Sequence, residues 1–146
     1  MRSPAKITIL VLGALVLACV IYKSTVKYRV RCVVSKDFRG VFTIAERAHG
    51  TPPKKSANNL WVYNIPKDGT LRTTDASILE EWHTQEAIYA DGSKLPSYGM
   101  DEGTIDSKGV MLFPLQTSGD RIWYFFVGTK EEYDQASTSP RPPIPE

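Results

Sequence analysis

The sequence predicts a mainly β protein: a small antiparallel β-sandwich with a short C-terminal helix, preceded by one N-terminal membrane helix. Three observations carry this expectation. Residues 7–22 contain no charged side chain. From Tyr28 onward, apolar and polar residues alternate with period two, the spacing of a half-buried strand. Gly, Pro, Asn and Asp then recur at short intervals and cut the chain into strand-length pieces.

The 146 residues, 42% hydrophobic and 23% charged, leave room for one domain. The formal charge of +2 conceals an asymmetry. Residues 1–31 carry six Lys or Arg and no acid, whereas residues 32–146 carry twelve bases against sixteen acids, a net −4. A mildly acidic body lacks the clustered cations that displace counterions from nucleic acid, so no nucleic-acid partner is expected.

Residues 1–27 form the signal or anchor segment with its juxtamembrane linker. Arg2 and Lys6 supply a basic start, and sixteen uncharged residues run to Lys23. As a helix that run covers about 24 Å, against a hydrocarbon core of about 30 Å. Lys6 and Lys23 suit snorkelling and Tyr22 suits an interface. Three fates stay open: an uncleaved anchor, a signal peptide cleaved near Ala18, and a lipoprotein signal processed before Cys19. Val16, Leu17, Ala18 and Cys19 are similar to a lipobox, which makes Cys19 the candidate lipidation site. Leu17 and the continued apolar run through Tyr22 depart from that pattern. With only Lys23 and Lys27 counted as juxtamembrane bases, the orientation tilts toward a domain outside the cytoplasm. The expected location is therefore the cell membrane, single-pass or lipid-anchored, with the domain extracytoplasmic. Cys32 reads as a small buried hydrophobe, and no disulfide with Cys19 is expected.

The domain spans residues 28–136. Tyr28, Val30, Cys32 and Val34 alternate with Arg29 and Arg31, giving a first strand with one dry face and one wet face. Residues 35–37 turn the chain. Residues 40–45 make a second strand, with Phe42 and Ile44 on one face and Val41 and Thr43 on the other. Residues 49–59, with Pro52 and Pro53, read as a loop. Residues 60–65 form a third strand, residues 66–69 a Pro-to-Gly turn, and residues 70–73 a short strand. One helical turn is expected in 75–81, a strand over 82–89, and a turn at Asp91 and Gly92. Residues 93–109 read as loop. Residues 110–116 and 121–127 flank Thr117, Ser118, Gly119 and Asp120 as a hairpin, and its second arm is apolar on both faces, which calls for a central, covered strand. Thr129 and Glu132 have the spacing of a capping box ahead of a short helix to Ala136. Residues 137–146 hold four prolines in ten and read as a disordered tail. Trp61, Trp82 and Trp123 are expected in the core or in cross-strand packing.

Chemistry-bearing motifs are sparse. His49 and His83 stand in no metal-ligand spacing, and residues 50–56 fail the phosphate-loop pattern because Lys55 and Ser56 occupy the positions of the second Gly and the Lys. Asp101, Glu102 and Asp106 read as a solvated acidic loop. No catalytic residue, cofactor or metal site is expected, and the chain reads as a non-enzyme. The residues Asp37, Phe38, Arg39, Gly40, Val41, Phe42, Thr43 and Ile44, then Val62, Tyr63, Asn64, Ile65, Pro66, Lys67, Asp68, Gly69, Thr70 and Leu71, then Trp82 with Tyr89, Ala90, Asp91 and Gly92, with a close at residues 126–133, form a series. This F-x-G, I-P-x-D-G-x-L and D-G pattern resembles an uncharacterised family of bacterial cell-envelope and lipoprotein domains. The resemblance implies an extracytoplasmic β domain, with the transthyretin-like sandwich as its candidate type, and transfers no catalytic residue.

The expected function is binding or scaffolding at the bacterial cell envelope, toward a protein or polysaccharide partner, with the membrane engaged through residues 7–22. Lys54 and Lys55 in the Pro-rich loop and the loop at 97–108 are the candidate contact surfaces. The alternative is a small envelope hydrolase with His83 or His49 as base. A third reading makes the tail around Arg141 to Pro145 a ligand for a groove-bearing partner.

Overall fold

The computed structural model describes residues 28–99, 108–142 and 144. The expected membrane segment, Cys19 and residues 100–107 lie outside them. Among the described residues no helix is long and apolar enough to cross a membrane.

Among the described residues, nine strands form two sheets: β1 (Arg29–Val34), β2 (Gly40–Glu46), β3 (Lys54–Ser56), β4 (Leu60–Asn64), β5 (Thr70–Thr73), β6 (Thr84–Tyr89), β7 (Lys94–Leu95), β8 (Met111–Ser118) and β9 (Ile122–Gly128). Sheet A has the order β3-β4-β1-β6-β7, and sheet B has the order β5-β2-β9-β8. A helix, α1 (Lys130–Ser137), follows β9. The protein is thus mainly β, sandwich-like, with a short C-terminal helix. The sandwich expected to be antiparallel is mixed, because β1 pairs with β4 and with β6 in parallel, as does β2 with β5. The reason lies in the turns. Those at residues 35–39 and 65–69 send the chain to the opposite sheet instead of back beside its predecessor. The chain returns to sheet A first at β3, whose hairpin with β4 restores the direction of β1, and again at β6 after β5.

Alternation sets the layers. Val30, Cys32 and Val34 are wholly buried on the inner side of β1, facing a core shared with Phe42, Ile44, Leu112, Phe125 and Val127 of sheet B. Each such aliphatic side chain contributes roughly 1.5–3 kcal/mol on leaving water. Phe42 lies directly opposite Phe125, their rings stacked 5.0 Å apart. The outer face of sheet B is covered as well, which is why β9 is buried at all seven positions. Tyr133 and Ala136 of α1 pack on Met111, Phe113 and Phe126, with the Tyr133 ring stacked 4.5 Å from Phe113. The capping box forms as its spacing requires: Thr129 Oγ1 accepts from the Glu132 amide, and Glu132 accepts from the Thr129 amide at 2.8 Å. Beyond the helix, Arg141 donates to the carbonyl of Ala136 at 3.0 Å, and Ile144 packs against Ala45, Ile122 and Tyr124. The described part of the expected disordered tail therefore touches the domain.

Several local expectations are corrected. Lys54, Lys55 and Ser56 are not loop but a fully exposed edge strand, paired antiparallel with β4. Pro52 and Pro53 precede the strand and so remove none of its ladder donors. A 3-10 turn at Ala57–Asn59, with Asn58 and Asn59 at positive φ, then reverses the chain. Trp82 is 94% exposed, not core, because the strand begins only at Thr84. Buried Ala76 and Ile78 belong to the core cluster instead, next to the 3-10 turn at Ser77–Glu80. The stretch 93–109 contains β7, and Ser97 forms a parallel bridge to Leu112.

The rims of both sheets are short or covered. Sheet A ends in the three residues of β3 and the two of β7. On β5, the Thr51 amide donates to the Arg72 carbonyl, and on β8 the Leu112 amide donates to Pro96. Gly50 is pressed against β5 so closely that a Cβ there would stand 2.4–2.6 Å from the backbone of Thr73. Gly50→Ala is therefore expected to cost about 1–3 kcal/mol, as overpacking does. Gly119→Ala, with nothing within 4 Å, is expected to change little. Urea-unfolding midpoints of the two variants check this, and equal midpoints would contradict the close approach.

Candidate functional site

The register of sheet A determines what its outer face presents. With Val30, Cys32 and Val34 inward, Arg29, Arg31 and Val33 point outward. Their direct neighbours are Leu60, Val62 and Asn64 on β4 and Thr84, Glu86 and Ile88 on β6. Lys54 and Ser56 extend this face through β3, and Lys94 extends it through β7. It thus gathers four bases, Arg29, Arg31, Lys54 and Lys94, around one acid, Glu86, with half-buried aliphatic side chains between them. Glu86 bridges two of the bases. Arg31 Nε donates to its Oε1 at 2.7 Å, and Arg29 Nη2 reaches both oxygens at 3.3 Å. Among the described residues, this face therefore carries more bases than acids. The helix α1 packs on β8 and β9, on the other sheet.

Lys55 does not join this face. Its alternate position places it opposite Trp61, with Nζ 3.8 Å from the Trp61 ring centre and 3.1 Å from Asp75 Oδ2. A stacked, paired ammonium is a structural brace at this corner. Asp75 also receives the Ser77 hydroxyl at 2.7 Å and the Ser77 amide at 3.2 Å. Burial pushes its carboxyl up, but the bonds from Ser77 and Lys55 outweigh that and hold it below the ordinary carboxylate range. Its backbone carbonyl accepts from Tyr63 Oη at 3.1 Å. Burial, with the charge of Asp75 next in weight, raises the Tyr63 phenol well above its usual value.

The histidines are not brought together with a nucleophile. His83 Nδ1 lies 2.7 Å from the backbone carbonyl of Glu81, which makes that nitrogen the donor. His49 sits exposed in the turn after β2. Among the described residues no group of three or more His, Cys, Asp or Glu is placed to hold a metal ion. An open depression on α1 is lined by Lys108, Lys130, Glu131, Asp134, Gln135 and Thr138, and Lys130 pairs with Asp134 within it. Cys32 is free, and burial pushes its thiol up to about 12, so it stays neutral and inert. The second contact surface expected from sequence, residues 97–108, is described only at 97–99 and 108.

Of the described residues expected at a contact surface, Lys54 lies on this face and Lys55 does not. Arg29, Arg31 and Lys94 join it through strand order. The alternation of residues 28–34 marks the two arginines as solvent-facing, but nothing local states which strands flank them.

No family model matches the sequence, and no curated protein matches it significantly. Among solved structures, the chain is similar to "Putative Lipoprotein from Bacillus anthracis", a 2.75 Å crystal structure. The TM-score is 0.42 at 11% sequence identity, over 80% of this chain and 82% of the other.

The corner brace has a pH signature. A carboxyl whose folded-state pKa is depressed contributes stability above its unfolded value, near 3.9, and loses it as pH falls through the folded value. Lys55→Met is therefore expected to lower stability at about pH 6 by at most about 1 kcal/mol, since the pair is part exposed. The difference should shrink in acid, as pH falls through the depressed folded-state value and Asp75 loses its charge. Urea midpoints across that range read the effect; a difference that persists unchanged in acid would refute the brace.

Proposed function

We propose that this protein is a membrane-tethered, extracytoplasmic binding module of a bacterial cell envelope, without catalysis of its own. The tether is residues 7–22, retained as an anchor or replaced by lipid at Cys19. The binding surface is the outer face of sheet A. One observation carries the reading: among the described residues, Arg29, Arg31 and Lys54 share one sheet face, and Glu86 pairs with both arginines there.

Such a face recruits anionic partners through summed potential, and it does so more through association rate than through any single contact. The aliphatic residues Val33, Leu60, Val62 and Ile88 add contact area among the charges. The likeness to a protein named as a lipoprotein is in keeping with the tether. A hydrolase reading has less support, because the His83 ring is engaged by a main-chain carbonyl and not by a hydroxyl or carboxylate.

A photo-crosslinking residue at Asn64, on the binding face, is expected to capture envelope components in living cells. The same residue at Asp120, in the turn between β8 and β9, is expected to capture far less. Protease added outside spheroplasts should digest the domain. Protection of the domain from external protease would refute the location, and equal capture from positions 64 and 120 would refute the face.

A further inference from the structure

On the outer side of sheet B, Val41, Thr43 and Ala45 of β2 stand beside Phe126, Tyr124 and Ile122 of β9, while Phe42, Ile44, Trp123 and Phe125 face the core. The two halves of this outer face have different covers. Tyr133 and Ala136 of α1 lie over Met111, Phe113 and Phe126, whereas Ile144 lies against Ala45, Ile122 and Tyr124. Val41 and Leu115 pack with both groups and mark the border between them. Arg141 fixes the path by which the chain leaves the helix. Its guanidinium donates to the carbonyls of Ala136 at 3.0 Å and of Ser137 and Ser139 at 3.3 Å, at the helix end where a cation complements the dipole.

The composition of this C-terminal segment suits a sheet face and not a sheet edge. β2 is bonded to β5 and β9, and β9 to β2 and β8, so neither strand has a free side on which a further segment can add a ladder. A chain lying on their face is held by side chains, and each amide N–H it sets over apolar groups is costly for want of an acceptor. Residues 140–146 read Pro, Arg, Pro, Pro, Ile, Pro, Glu, so four of the seven have no amide N–H. The prolines also restrict the free chain, which loses less entropy on being seated. The hold is nevertheless small. Pro140 and Pro142 are exposed, leaving Arg141 and Ile144 as the two described contacts, and chain ends held so lightly open readily.

We propose that the outer face of sheet B beside α1 is a peptide site for an extended, proline-flanked aliphatic segment, and that residues 140–146 of the same chain are its resident, displaceable occupant. A partner segment of this chemistry displaces the tail, and its apparent affinity is reduced by the fraction of molecules whose tail is released. The site lies on the opposite sheet from the face assigned to envelope partners and stands without it.

The test measures, by fluorescence anisotropy, binding of a labelled synthetic peptide of residues 139–146 to the purified full-length chain. Removing residues 140–146 from the protein is expected to raise peptide affinity at least about tenfold, the gain for a site that is one-tenth free when the tail is present. In the full-length chain, Ile144→Ser is expected to give most of that gain and Arg141→Gln a part of it. The full-length Ile144→Ser variant keeps the test decisive if the shortened chain fails to fold, and far-UV circular dichroism verifies folding of each variant. Leu115→Ser, at the border of the site, is expected to weaken peptide binding by the shortened chain. Equal affinity for the intact chain, the shortened chain and Ile144→Ser overturns the resident tail. A peptide that binds no better than its own Ile144→Ser version overturns the site. Dimers of the intact chain that Ile144→Ser dissolves assign the site to the tail of a second copy and overturn occupancy within one chain.

Discussion

The structure depends on the pleat of β1. Val30, Cys32 and Val34 are buried to zero exposure, and as the central strand of sheet A β1 is bonded in parallel on both sides. Its register is therefore fixed from three directions at once. A slip of one residue would turn Arg29 and Arg31 into the core and three apolar side chains out to water, a change that costs several kcal/mol for each buried charge. The same fixed register that builds the interior thus also arrays the cations outside it. Core and surface are two readings of one strand.

The two sheets solve their outer faces differently. Sheet B is closed by α1 and by Ile144, so its central strand is apolar throughout and its surface chemistry is that of the helix. Sheet A leaves Arg29, Lys54, Asn64 and Lys94 exposed on its outer side. The asymmetry gives the domain a front and a back. On the side of sheet B, Glu131, Glu132 and Asp134 lie on the helix, where the first two favour its N-terminal dipole.

Features governed by neighbours in the chain were legible in the sequence. The alternation of residues 28–34, the hairpin around Gly119, the doubly covered strand at 122–127 and the reciprocal bonds of Thr129 and Glu132 all follow from local spacing. The turn at Gly69, with φ of +78°, follows from residue type. Strand order did not. Turn residues state that the chain reverses, but not whether it pairs with the strand it has left or crosses to the other sheet, and here it crosses. The site suffers from the same limit. Lys54 drew attention through its position in a basic, Pro-rich stretch, and Arg29 and Arg31 as the wet side of a strand, yet only parallel pairing assembles them with Lys94. Lys55 carries the same charge one residue along and has a different fate, because period two sends it to Trp61 and Asp75. Trp82 misled because its type argues for burial, whereas the 3-10 turn before it had already filled the core with Ile78.

The short rims of the two sheets bear on how copies of the chain tolerate one another. Strand-exchange polymerisation needs a long run of unpaired amides and carbonyls, straight enough for a second molecule to zip onto. Here β3 and β7 offer three and two residues with lysines on them, β5 is wrapped by the segment at Thr51, and β8 is met by Pro96 and Tyr98 and interrupted at Pro114, where its register shifts. These margins leave a second copy little unpaired backbone to extend.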